Sequence, residues 1–244
     1  MTQKTIVITR PKGDEDELRE ELLALGHRVI CEPLTEIFLR HTVRMEVENA
    51  LEGDPDAVII TSKHAVQALA MLTELRDVFL LCVGAATKEL AEDLGFFRVS
   101  LAGETADGML DYITDCYDED ARFLHISGED IRVDWREVLG SSGMEVTRIV
   151  AYEAIAAEAL SDTLVEQLKR GQIDAVSFFS PRAAEIFLEL TKKAGILDTL
   201  TKIDAFCLSA NIAVAAAQGE WKNIKFAEQP TLASLVVCVD NGYK

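Results

Sequence analysis

The chain has 244 residues, of which 49% are apolar and 27% charged, the make-up of a globular protein with a real core, so an intrinsically disordered chain is not expected. Its formal net charge is −18, which repels polyanions and argues against a nucleic-acid partner, because no concentrated basic stripe offsets that field. The longest apolar run, Val78 to Ala86, falls far short of the roughly 20 residues that cross a bilayer, so no membrane role is expected.

The N-terminal Met-Thr-Gln-Lys leads directly into Ile6-Val7-Ile8, with no apolar signal region. Five cysteines (Cys31, Cys82, Cys116, Cys207, Cys238) are odd in number and mostly sit in apolar, strand-like surroundings, as buried thiols of a reducing compartment do. A cytoplasmic location is expected. Along the chain, short apolar runs recur, each followed by a polar turn and a helical pattern. They are Thr5 to Thr9, Ala57 to Ile60, Phe79 to Val83, Phe123 to Ile126, Ala175 to Phe179 and Phe206 to Leu208. Alternating strand and helix predicts an α/β fold with parallel sheets. The first helix carries Leu18, Leu22 and Leu25 on one face and stops near Gly26, where a left-handed cap is easily made. Two further helices show single apolar stripes, one of Ala65, Ala68, Leu69 and Leu72, the other of Ile186, Phe187 and Leu190.

An internal repeat organises these units. Asp56-Ala57-Val58-Ile59-Ile60-Thr61-Ser62-Lys63-His64-Ala65 is echoed by Asp174-Ala175-Val176-Ser177-Phe178-Phe179-Ser180-Pro181-Arg182-Ala183, position 174 against 56, an offset of 118. Ile8-Thr9-Arg10 aligns with His125-Ile126-Ser127, and Cys82-Val83-Gly84 with Cys207-Leu208-Ser209. The chain is therefore two similar halves, each of three strand-turn-helix units that could form one lobe or be shared between two, and the economical reading is a duplicated open α/β lobe. Ligands of open parallel sheets bind beyond the carboxyl ends of strands, where loops meet helix N-termini. The repeated turns at Arg10, Ser62 and Lys63, Thr87, Ser127 and Gly128, Ser180, and Ser209 and Asn211 occupy those places, and their backbone N–H groups suit anions. The expectation is that most of them line one cleft between the lobes.

Dinucleotide, P-loop and hydrolase-elbow motifs are missing, so no nucleotide cofactor is expected. His27, His41, His64 and His125 lack the spacing of a zinc site and read as surface or strand-end residues, so no metal is assigned. The acidic runs at 14–17 and 118–120 read as solvated helix-start and loop charges.

Over nearly its whole length the sequence resembles uroporphyrinogen-III synthases. The likeness rests on Ile8-Thr9-Arg10-Pro11, Ile60-Thr61-Ser62-Lys63-His64-Ala65-Val66, Val83-Gly84-Ala85-Ala86-Thr87, Ser127-Gly128-Glu129-Asp130-Ile131-Arg132, Val150-Ala151-Tyr152-Glu153 and Phe179-Ser180-Pro181-Arg182-Ala183, in this order and spacing. The resemblance implies two lobes joined by a two-stranded ladder, with residues 1–36 plus 158–244 in one lobe, 42–152 in the other, and 37–41 and 153–157 as the crossings. It implies closure of linear hydroxymethylbilane to uroporphyrinogen III through a spiro intermediate, with ring D inverted, water lost, and no cofactor or metal. Tyr152 matches the family's V-x-Y tyrosine, placed to help the hydroxyl leave. Arg10, Ser62, Lys63, Thr87, Ser127, Gly128 and Ser180 would hold carboxylates of the substrate.

One block departs. Where similar proteins show I-G-P-x-T-A, this chain has Leu208-Ser209-Ala210-Asn211-Ile212-Ala213, so that Ser209 or Asn211 substitutes for the hydroxyl missing at Ile212, or the contact is dispensable. A monomer that makes transient contact with the upstream hydroxymethylbilane-forming enzyme is expected. The alternative from another class is a non-catalytic cytosolic two-lobed module that binds small molecules or regulates.

Overall fold

The structure, a computed structural model, describes residues 3–243. Eleven strands and ten α-helices follow one another in the order β1 (Thr5–Ile8), α1 (Asp16–Ala24), β2 (Arg28–Cys31), β3 (Thr35–Leu39), α2 (Arg44–Glu52), β4 (Ala57–Ile60), α3 (Lys63–Leu72), β5 (Phe79–Val83), α4 (Ala85–Asp93), β6 (Arg98–Gly103) and α5 (Ala106–Cys116), all among the described residues. The second half continues with β7 (Arg122–Gly128), α6 (Trp135–Gly140), β8 (Glu145–Ala156), α7 (Asp162–Lys169), β9 (Ala175–Phe178), α8 (Pro181–Lys193), β10 (Asp204–Cys207), α9 (Ala210–Ala216), β11 (Asn223–Phe226) and α10 (Leu232–Gly242).

The strands form two sheets, one ordered β11-β10-β9-β1-β2 and the other β3-β8-β7-β4-β5-β6. The chain divides into two compact units, Met1–Glu36 with Ile155–Lys244, and Ile37–Ala154. Pairings run parallel from β2 to β11 in the first sheet and from β8 to β6 in the second. Beside β8 lies β3, and here the chains oppose each other. The Arg40 N–H donates to the Ala151 carbonyl at 2.8 Å while the Ala157 N–H donates to Leu34 at 2.9 Å, so one strand rises as the other falls.

The repeat does not correspond to a unit. With β1 and β2 matched to β7 and β8, and β4, β5 and β6 matched to β9, β10 and β11, the two sheets have the same strand order apart from β3. Each half of the chain therefore gives two strands to one sheet and three to the other. This replaces the duplicated lobe that the sequence repeat suggested on grounds of economy.

Both faces of each sheet are covered, which is why the central strands β1, β4, β9 and β10 are buried at every position and read as largely apolar runs, interrupted by Thr5, Ser177 and Asp204. In the first unit α1 and α10 bury Leu18, Leu22, Leu235 and Val239 on one face, while α7, α8 and α9 cover the other. In the second, α2, α3 and α4 pack on one face around Ala65, Leu69 and Ala91. The opposite face takes α5 and α6, with Met109, Ile113, Trp135 and Leu139. Gly26, with φ of 84°, ends α1 in the left-handed conformation that glycine adopts without steric cost.

Candidate active site

In the second unit the carboxyl ends of β4 and β7, with the neighbouring stretch of β8, bring five expected residues together: Ser62, Lys63, Ser127, Gly128 and Tyr152. After β4 the backbone extends through Ser62, whose side chain accepts the Ala65 N–H at 3.1 Å and caps α3. The same oxygen lies 2.7 Å from the Tyr152 hydroxyl. Lys63 is the first residue of α3 and is exposed. Tyr152 comes from β8, and its arrival on this face depends on an irregularity in register.

Up to Ser127, β7 and β8 pair one residue to one, with Ile126 opposite Ile149 and Ser127 opposite Val150; then Gly128 pairs with Tyr152. One extra residue in β8 reverses the alternation. Without it Tyr152 would face α5 and α6; with it Tyr152 packs against the buried cluster that α2, α3 and α4 cover. Gly128 makes the room. A Cβ there would stand 2.7 Å from Tyr152 Cε2 and 2.9 Å from Cζ, closer than real carbons come. The Glu129 N–H donates to the Tyr152 carbonyl at 3.0 Å, and the His64 ring meets the Tyr152 ring edge to face at 5.9 Å.

Ser127 is 2% exposed, and its hydroxyl is engaged inside the protein. It donates to the Gly128 carbonyl at 2.9 Å and accepts Nε of Arg148 at 2.9 Å. Thr87 is also buried, in the first turn of α4 after Gly84, whose φ of 82° sets the turn.

The first unit gathers a second group of the expected residues. Arg10 follows β1, its guanidinium 4.6 Å from the centre of the Phe179 ring and 3.7 Å from the Asp14 carboxylate. Ser180 repeats Ser62, accepting the Ala183 N–H at 3.1 Å ahead of Pro181. Ser209 occupies the cap position of α9 without a cap hydrogen bond from its side chain, and Asn211 is exposed. Ile212 is buried in the core, so the substitution at that position serves packing.

One histidine departs from expectation: His125 lies within β7 at 1% exposure, whereas His27 stands at a strand end, just before β2, though buried, and neither ring nitrogen of either residue has a hydrogen-bond partner. Burial, reinforced by the charge of Arg148, pushes His125 down to about 4 against the opposing pull of Asp134. Among the cysteines, Cys82 and Cys207 are buried, their thiols pushed up to about 12 by burial. Cys116, by contrast, is exposed at the end of α5 rather than in a strand. No group of three or more His, Cys, Asp or Glu that could hold a metal ion occurs among the described residues, and no helix among them is long and apolar enough to cross a membrane.

Sequence reasoning missed the residues that support Tyr152. Arg148 donates to Ser127 and to the Gly128 and Glu129 carbonyls, and Arg40 forms ion pairs with Glu129 and Glu153. The available signal was a lone arginine inside the apolar strand pattern of Val146 to Ala151.

A family model described as uroporphyrinogen-III synthase HemD matches residues 16–237. A protein of Methanothermobacter thermautotrophicus named "Putative uroporphyrinogen-III synthase" is 26% identical over 219 residues, spanning 81% of this chain and 83% of that one. Among solved structures, uroporphyrinogen-III synthetase from Helicobacter pylori covers 98% of both chains at 16% identity with a TM-score of 0.63. A mutant uroporphyrinogen III synthase from the extremely thermophilic bacterium Thermus thermophilus covers 98% of both at 16% identity with a TM-score of 0.56.

Proposed function

The chain belongs to the uroporphyrinogen-III synthase family of enzymes, and from that premise we propose that it closes hydroxymethylbilane to uroporphyrinogen III through a spiro intermediate, with Tyr152 assisting the first step. Hydroxymethylbilane loses its hydroxyl readily and cyclises unaided to the uninverted isomer. The enzyme's task is therefore to orient the chain more than to supply acid strength. Loss of the hydroxyl as water leaves an azafulvene, which attacks the substituted carbon of ring D. The spiro intermediate fragments and recloses with that ring inverted.

The observation that carries the assignment of Tyr152 is its hydroxyl 2.7 Å from Ser62, at the N-terminus of α3. A phenol there can donate to a departing hydroxyl while Ser62 orients it, and the positive end of the helix dipole favours a nearby carboxylate. Lys63 and Thr87 in the second unit, and Arg10, Ser180, Ser209 and Asn211 in the first, are assigned to acetate and propionate groups. Such local cations, hydroxyls and amides are what a polyanionic substrate needs against a net charge of −18. Ser127 and Gly128 act on Tyr152 rather than on the substrate, because the hydroxyl of one is engaged within the protein and the bare Cα of the other faces the tyrosine ring. The substrate's tendency to close wrongly also favours direct handover from the enzyme that makes it, to a monomer in the cytoplasm.

The test is incubation with enzymatically generated hydroxymethylbilane and separation of the type I and type III isomers. Tyr152→Phe should keep the fold and slow type III formation by roughly 10- to 1000-fold, the loss expected when a positioned acid is removed. Full type III activity in that variant would make the tyrosine structural. Parallel loss of activity and thermal stability would say the same.

A further inference from the structure

The turn that closes β7 is held by two arginines of different kinds. Arg40 reaches it from outside, through its ion pair with the exposed Glu129 and a longer contact of 3.4 Å to the half-buried Glu153, so this grip is weak. Arg148 reaches it from within. Its Nε donates to the Ser127 hydroxyl at 2.9 Å and its Nη2 to the Gly128 and Glu129 carbonyls, each at 2.8 Å. A planar guanidinium fixes three acceptors in a way a lysine ammonium on a flexible stem cannot.

The peptide so fixed is the one that Tyr152 leans on. The ring lies against the Cα of Gly128, and the N–H of Glu129 holds the Tyr152 carbonyl at 3.0 Å. Arg148 sits four residues before Tyr152 in the same strand, opposite His125, and the register shift between the two puts their side chains on opposite faces of the sheet. Arginine and tyrosine therefore work on one turn from its two sides. At the matching place in the other unit stands Cys31, the last residue of β2, where no tyrosine follows.

We propose that Arg148 is a positioning residue for the cyclisation, holding the Ser127-Gly128-Glu129 turn so that the Tyr152 hydroxyl meets Ser62. It need touch no reacting atom. This rests on the role proposed above for Tyr152, and a double-mutant cycle separates the two claims. The variants are Arg148→Met, which keeps the stem and removes the donors, Arg148→Lys, Tyr152→Phe, and the doubles Arg148→Met/Tyr152→Phe and Arg148→Lys/Tyr152→Phe. Each is assayed on enzymatically generated hydroxymethylbilane for kcat, KM and the ratio of type III to type I product.

Arg148→Met should lower kcat for type III by roughly 10- to 100-fold, the size of effect that follows a misplacement of about 1 Å, with KM moved by less than about threefold and the type I share increased. Arg148→Lys should fall between wild type and Arg148→Met. The double should be no slower than Tyr152→Phe alone within about twofold, because the arginine acts through the lost hydroxyl. Multiplicative losses in the double, or wild-type kcat in Arg148→Met, would overturn the proposal. If Arg148→Met does not fold, Arg148→Lys and its double complete the same cycle, with melting temperatures compared alongside, and the same two outcomes decide. An impaired Tyr152→Phe beside an unimpaired Arg148 variant would sink the arginine's role alone. An unimpaired Tyr152→Phe would sink both.

Discussion

The two sheets are built alike, and yet they end differently. Ser62 and Ser180 cap α3 and α8 with the same bond at the same length, 3.1 Å to the N–H three residues on. The strands β2 and β8 start at matching places, but β2 has four residues and β8 has twelve. Where β2 stops, the Glu32 carboxylate takes the Ser161 N–H at 2.6 Å and its hydroxyl at 2.7 Å, which ends the strand in a side-chain clamp. Where β8 continues, one extra residue turns Tyr152 toward the helix cap. A duplicated fold thus supplies two equivalent helix starts, and the length and register of one strand decide which of them receives a phenol.

The largest effect that would sharpen this comparison concerns His125, whose counterpart in the first sheet is Ile8, fully buried. With its folded-state value near 4 and its ordinary value at 6.5, His125 stays neutral in the native protein while the unfolded chain takes up a proton. Above about pH 6.5 it makes no difference to stability. As pH falls toward 4 the unfolded state gains, and the cost approaches about 3 kcal/mol before levelling off. His125→Ile should flatten the fall in stability over that window, measured by denaturant unfolding at several pH values, and leave stability at pH 7 unchanged or raised, since two unpartnered buried nitrogens are removed. His27, also pushed down by burial, would account for the slope that remains. An unchanged slope would mean His125 titrates freely in the folded protein.

Next in size is Gly128→Ala. The added carbon overlaps the tyrosine ring, so the variant should lose about 1–3 kcal/mol of stability and slow type III formation by roughly 10- to 100-fold. A wild-type rate would show that the ring can leave the glycine without consequence. The smallest effect comes from the paired caps. Ser62→Ala and Ser180→Ala should each cost about 1 kcal/mol in thermal unfolding, the worth of an N-cap. Their kinetics should part, with Ser62→Ala lowering kcat because Tyr152 loses its partner and Ser180→Ala raising KM. Equal effects on kcat would erase the distinction drawn between the two helix starts.

The parts of this protein legible from its residues alone are those set by local physics. The strands β1, β4, β5, β9 and β10 show as apolar runs because they are covered on both faces, and α1, α3 and α8 show as single stripes because they are covered on one. The strands β2, β6 and β11 escaped that reading, since their half-buried residues mix apolar and polar types without a clean period. The candidate residues Ser62, Lys63, Gly128 and Tyr152 were visible as motifs, but nothing along the chain says that an extra residue after Ser127's partner reverses the face of the tyrosine. Nor does it say that Arg148 and Gly128 meet at one turn, or that a histidine occupies the core where its counterpart is an isoleucine. Those facts depend on pairing between β7 and β8, and on which sheet each half of the repeat enters. Both are settled by contacts between residues far apart in the chain, which periodicity over a few residues cannot register.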